Sequence, residues 1–178
     1  MGTSGSADDS RGATTWKEHT TAFDRVQSVA LTVSEPHTAS WVAEEAFVAE
    51  NTARRHLTRL AELNVLTADT DGDATTYYPD PVYVRTRELR SLVDEHDRDE
   101  LTSLAVDLKV DIERWQDEYD AVVPDDVRGG VAAGDVSAEE ACERRRVVSD
   151  WEHARYRLSL IEDALERYAE FTARLAPV

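Results

Sequence analysis

Read for its apolar and polar positions, the chain resolves into short blocks before about residue 97 and long ones after it. Trp16, Phe23, Val26, Val29 and Ala30 recur at helical spacing and predict a helix from about Thr15 to Val33. Ser34, Glu35, Pro36 and His37 break it, because a proline biases its predecessor to extended geometry. Thr38 can cap a second helix that turns Trp41, Val42, Ala46 and Phe47 inward. A third helix, over about residues 50 to 64, carries Ala53, Leu57 and Leu60 on one stripe, four and three apart. Val65 to Thr70 and Thr75 to Pro79 read as strands joined across Asp71-Gly72-Asp73, since Asp-Gly between short runs signals a hairpin. Asp80 and Pro81 close this block.

A helix from about Val82 to His96 follows, carrying Arg85, Arg87 and Arg90. These arginines either reach flanking phosphates or pair with Glu88, Asp94 and other acids. Leu101, Leu104, Leu108, Ile112, Trp115, Tyr119 and Val122 then make an amphipathic helix, with Pro124 stopping it. Residues 125–136 read as a loop, and Ser137 caps a last helix. There Val147, Trp151, Ala154, Leu158, Ile161, Leu165, Tyr168, Thr172 and Leu175 alternate by four and three, an a/d seam of about four heptads. A seam this narrow calls for another helix, from the same chain, from a second copy, or from both.

The third helix organises the first block. Opposite its buried stripe lie Asn51, Arg55, Thr58 and Glu62, with Arg54 and Arg59 on the flanks. A helix that packs by one stripe and shows Arg, Asn and Thr on the other suits the DNA major groove. The stretch VAENTARRHLTRLAELNVL, the short helix before it, Leu57-Leu60-Leu63-Leu66 at its close and the Gly-centred hairpin resemble the winged helix-turn-helix transcription regulators of archaea, of the ArsR and TrmB sort. Asn64 stands near where that family usually has a helix-ending glycine, and asparagine is the usual substitute in a left-handed cap. The hairpin would be the wing, although its tip reads Asp69, Asp71 and Asp73 where a DNA-touching wing normally carries Arg or Lys.

Charge changes the picture. The 178 residues hold 37 acidic and 20 basic side chains, a net of −17, and only Lys17 and Lys109 among the basic ones are lysine. Acidic, Lys-poor composition is typical of extreme halophiles, whose molar salt screens self-repulsion over a few ångströms. Binding to phosphates weakens steeply with salt, so a DNA binder in that cytoplasm leans on base contacts, shape and dimerisation. Residues 15 to 93 carry a net of −4 and residues 94 to 178 a net of −12, so the first part is the less hostile to DNA. The lone Cys142 excludes an intrachain disulfide and a Cys-based zinc site. No apolar run approaches 18 residues, and a soluble, cytoplasmic protein without membrane contact is expected.

The search for chemistry returns little. His19, His37, His56, His96 and His153 form no metal-binding pair, and no metal or other cofactor is expected. His56 reads as a boundary residue or a base contact. Asp94-Glu95-His96-Asp97 reads as a turn between helices, and Asp69 to Asp73 fails the calcium-loop spacing. Phosphate-binding glycine loops and nucleophile elbows are absent, so no enzyme is expected. Arg144, Arg145, Arg146, Arg155 and Arg157 are expected to pair with Glu139, Glu140, Glu143 and Glu152. Trp115, Tyr119, Trp151, Tyr156 and Tyr168 are expected to pack a core or a dimer seam rather than line a ligand pocket.

The expected architecture is mainly α with a small β-hairpin. Residues 1–14 are a disordered tail and 15–81 a winged helix-turn-helix. Residues 82–178 form a long antiparallel, coiled-coil-like helical hairpin that dimerises the chain. The resemblance implies a regulator that binds double-stranded DNA as a homodimer, with recognition helices about 34 Å apart on a pseudo-palindromic site. Asn51, Thr52, Arg55 and Arg59 would touch bases or groove, and Arg54, Thr38 and Ser40 phosphate. The alternative is a docking module for protein partners, which the acidic hairpin tip and net charge suit.

Overall fold

A computed structural model describes residues 19–132 and 137–173. The tail, Trp16 and Leu175 lie outside the described residues. The chain is mainly helical with one small antiparallel sheet, and it divides into two compact units, up to Val84 and from Arg85 onward.

The first unit opens with α1 (Ala22–Thr32), shorter than the helix expected from Thr15. Its start is set by a capping box: the Thr21 hydroxyl accepts the Asp24 N–H at 3.2 Å, and the Asp24 carboxylate accepts the Thr21 N–H at 3.1 Å. A short strand β1 (His37–Thr38) follows where only a break was expected. Thr38 also caps α2 (Ala39–Glu45), accepting the Trp41 N–H. Next come α3 (Glu50–Glu62), β2 (Leu66–Asp69) and β3 (Thr76–Pro79). The strand order is β1-β3-β2, with His37 opposite Tyr77 and Leu66 opposite Pro79. The hairpin expectation holds, but Asp69 pairs with Thr76, so six residues form the tip rather than a tight Asp-Gly turn.

Two left-handed residues set the angles of this unit. Asn64 has φ 55°, with its N–H on the Ala61 carbonyl (2.9 Å) and the Val65 N–H on the Leu60 carbonyl (2.9 Å). That bond pair is a Schellman closure, with buried Leu60 and Val65 as its apolar contact. The same closure ends α2, where Phe47 takes φ 52° and Val48 bonds back to the Ala43 carbonyl at 3.0 Å. A bulky residue is uncommon there. It also corrects an expectation, because Phe47 is 46% exposed rather than inward. Leu63, at the C-cap of α3, is likewise exposed, so only Leu57, Leu60 and Leu66 of the leucine series enter the core.

That core joins Val26 and Ala30 of α1, Val42 and Ala46 around α2, Ala53, Leu57 and Leu60 of α3, and Leu66 and Tyr77 of the sheet. Among them sits a charge the pattern did not announce. Arg25 is buried, donating from Nε to the Ala46 carbonyl (2.9 Å) and from Nη1 to the Thr20 carbonyl (2.7 Å). The unit ends where Asp80 caps α4 (Pro81–Glu95) by accepting the Val82 and Tyr83 N–H groups at 3.0 and 2.9 Å. Pro81 takes the first helical position, where its missing N–H costs nothing.

In the second unit, Leu89 and Val93 of α4 pack with Leu101 and Ala105 of α5 (Arg98–Tyr119) and with Leu160, Ile161 and Ala164 of α7 (Ala138–Glu166). Toward its other end, α5 brings Ile112, Trp115 and Tyr119 against Val148 and Trp151 of α7. The two long helices therefore run antiparallel and pair within one chain. Of the 94–97 stretch expected as a turn, Asp94 and Glu95 still belong to α4, and only His96 and Asp97 connect the helices, with Asp97 capping α5. Helix α5 ends at left-handed Asp120, before Pro124, and Val122 is exposed rather than inward.

The expected loop after Pro124 is in part a helix, α6 (Pro124–Ala132). Proline at its first position, the Asp126 carboxylate accepting the Val122 and Val123 N–H groups (3.1 and 3.2 Å), and Val127 against Trp151 outweigh the helix-weakening glycines. Helix α7 starts at its Ser137 cap as expected but stops at Glu166, followed by short α8 (Tyr168–Thr172). Its buried face is wider than an a/d seam. Val148, Leu160 and Ala164 join Trp151, Ala154 and Ile161, because α4, α5 and α6 cover α7 from several sides.

Arg25→Met should lower unfolding free energy by about 2–3 kcal/mol, since it leaves the buried Ala46 carbonyl without its charged donor. Denaturant titration should show a lower midpoint at unchanged slope.

Candidate nucleic-acid interface

The exposed side of α3 follows from its buried one. With Ala53, Leu57 and Leu60 at 0–1% exposure, helical geometry turns Asn51, Arg55, Thr58, Arg59 and Glu62 to solvent. Thr52 and His56 sit half-buried at the margins. Asn51, Thr52, Arg55 and Arg59 thus share the outer side of one helix, as the sequence placed them.

Arg54, Thr38 and Ser40 also come together, but in company the sequence did not indicate. They line a hollow with Glu50, Asp73, Ala74, Thr75 and Tyr77, between the starts of α2 and α3 and the hairpin tip. Arg54 is ion-paired with Glu50 one helical turn earlier. The Thr38 and Ser40 hydroxyls hydrogen-bond each other at 2.9 Å. One arginine facing two carboxylates leaves this hollow net acidic. The hairpin tip adds to that, with the Asp69 carboxylate folded back on the Asp71 N–H at 2.9 Å.

Arg55 and Arg59 differ. Neither has a carboxylate within ion-pairing distance among the described residues. They flank a second surface hollow lined by Arg55, His56, Thr58, Arg59 and Glu62. His56 meets the Phe23 ring edge-on at 5.4 Å. Burial, then Arg55 and Arg59, holds its imidazole below the usual histidine range.

Of the two readings for the α4 arginines, Arg85 takes the pairing with an acid, bound to Asp163 at 2.6 Å, while Arg87 and Arg90 are exposed. The 144–157 arginines were expected to pair with neighbouring glutamates. Instead Glu152 pairs with Arg128, and Arg146 reaches only Asp150, at 3.9 Å. Arg145, Arg155 and Arg157 have no carboxylate partner among the described residues. Trp151 packs into the core as expected, whereas Tyr156 is 42% exposed and donates its hydroxyl to Glu88.

Among the described residues no three His, Cys, Asp or Glu side chains converge as metal ligands would, and no helix is long and apolar enough to cross a membrane.

Residues 20–170 match the model of a family of unknown function (DUF7342), and the chain belongs to that family. No curated protein and no solved structure matches the chain.

The pH dependence follows from His56. Because its folded-state value is lowered, its contribution to stability is full above the unfolded value of about 6.5 and is lost as pH falls through the folded value. His56→Gln should remove that part of the acid destabilisation, read as a flatter melting temperature between about pH 7 and pH 5.

Proposed function

We propose that this chain is a sequence-specific transcription regulator that binds double-stranded DNA as a homodimer. In this reading the first unit is a winged helix-turn-helix. Helix α3 enters the major groove, α2 precedes it across the Phe47 turn, and the β2–β3 hairpin is the wing. The second unit supplies dimerisation. The observation that carries the reading is the pair Arg55 and Arg59, exposed on α3 beside Asn51 and free of carboxylate partners among the described residues. Such arginines suit bidentate contact with guanine, and Asn51 suits adenine. Arg54, Thr38 and Ser40 serve as positioning contacts to phosphate only if a cation or a moving Glu50 relieves the acidity around them.

One observation favours a second reading. The Glu50–Arg54 pair and Asp73 make the hollow beside the hairpin acidic, which suits docking of a basic protein segment rather than DNA.

The test is selection of binding sites from fragmented genomic DNA by purified protein in molar KCl. Enrichment of a two-fold-symmetric site is expected. Arg55→Ala should lose about 1–3 kcal/mol on that site and relax one base position. A dimer that enriches no sequence would instead favour the docking reading.

A further inference from the structure

The seam the sequence offered for dimerisation is used up inside the chain, so a second copy must dock elsewhere. Helix α7 carries a second series on its solvent face. Glu139, Glu143, Arg146, Asp150, His153 and Arg157 are spaced four, three, four, three and four, all exposed. This is the spacing of a helix-pairing seam, written in ionisable residues. Eighteen residues make five full turns, so Glu139 and Arg157 lie in line, about 27 Å apart along the helix.

We infer that this face is the docking surface for the same face of a second copy, with the two α7 helices antiparallel about a two-fold axis at Val148. The observation behind it is self-complementary charge. Under that axis Glu139 faces the second copy's Arg157, Glu143 its His153, and Arg146 its Asp150, each pair occurring twice. All three pairings are of opposite sign or carboxylate to imidazole. Shifting the register by one heptad sets Glu139 on Asp150 with Glu143 on Arg146, or Arg146 on Arg157 with Asp150 on His153, so repulsive pairs offset attractive ones, and parallel alignment stacks like on like. Of these arrangements, only the unshifted antiparallel one makes every pair favourable.

Local partners do not compete strongly for these groups. Only Arg146 and Asp150 touch within the helix, at the 3.9 Å limit, and Glu139, Glu143, His153 and Arg157 have no ion pair among the described residues. This also gives a partner to Arg157, left unpaired in a stretch, residues 94 to 178, of net charge −12. Paired charges of this kind fix register and partner more than they add affinity, and salt weakens them.

The inference deepens the dimer of the proposed function, and its test uses no DNA, so the two can fail separately. The full chain is followed by sedimentation at low and molar KCl. Arg157→Glu alone creates two like-charged contacts per dimer and should weaken association at least about tenfold at low salt. Combining it with Glu139→Arg restores opposite charges and should return the dimer to within about twofold. A second variant reads geometry. In a Cys142→Ser background, Glu139→Cys with Arg157→Cys should oxidise to a covalent dimer, since the two positions lie too far apart within one helix to bond. Three results overturn the proposal: a monomer at every concentration, a dimer indifferent to Arg157→Glu or not rescued by the swap, or a dimer that the cysteine pair does not cross-link.

Discussion

The first unit depends on how the chain is turned between α2 and α3. Phe47 holds a left-handed backbone that L residues other than glycine and asparagine seldom adopt. From the other side, the buried Arg25 guanidinium anchors the carbonyl of Ala46, the residue just before it. A buried cation is tolerable only with its donors satisfied, and here backbone oxygens supply the partners. The bond fastens α1 to the turn, and the turn sets the angle at which α3 leaves α2. The exposure of Asn51, Arg55 and Arg59 follows from that angle. The neighbouring Ala46 is fully buried in the core with Ala53 and Leu57, and the Val48 N–H closes the turn on the Ala43 carbonyl.

Much of this was legible before the structure. Caps are local chemistry, so Thr38, Ser137 and Asn64 could be read from residue type and spacing alone. The buried stripe of α3 was legible for the same reason, because period fixes which face packs. What escaped depends on contacts from afar. Strand β1 has two residues and no period, and exists only because β3 offers a second edge. Helix α6 carries glycine at 129 and 130, a local signal for loop, overridden by Val127 packing on Trp151. Arg25 looks like any exposed arginine until the Ala46 carbonyl is brought to it. The width of the α7 core could not be inferred from one seam, since it records three neighbouring helices.

The candidate site divides along the same line. Sequence placed Asn51, Thr52, Arg55 and Arg59 on one side of α3, but periodicity is blind to which charges neutralise one another. Arg54 and Arg55 are neighbours in sequence and opposites in circumstance. Arg54 lies one turn above Glu50 and beside Asp73, while Arg55 points past both. For recognition, that difference outweighs the net charge of the whole chain. A surface of net −17 repels a polyanion at long range, but at molar salt that field dies within a few ångströms and only contact-range chemistry remains.

The arginines of this chain can therefore be sorted by what stands within contact of them. Those with a carboxylate at hand, such as Arg85 on Asp163 and Arg128 on Glu152, hold helices together. Among the described residues, those with none include Arg55 and Arg59 on α3, Arg87 and Arg90 on α4, Arg98 on α5 and Arg145, Arg155 and Arg157 on α7, all exposed. An exposed guanidinium is well solvated and costs the fold nothing, so being unpaired does not by itself imply a partner. What distinguishes the α3 and α7 faces is arrangement. On α3, Arg55 and Arg59 stand beside Asn51, Thr58, His56 and Glu62, a mixed face whose Arg and Asn suit base edges. On α7, Arg146 and Arg157 stand with acids and His153 at helix-pairing intervals, a pattern that complements itself when reversed. The same residue type thus carries both proposals, nucleic acid for the α3 face and a second copy of the chain for the α7 face, and spacing makes the distinction.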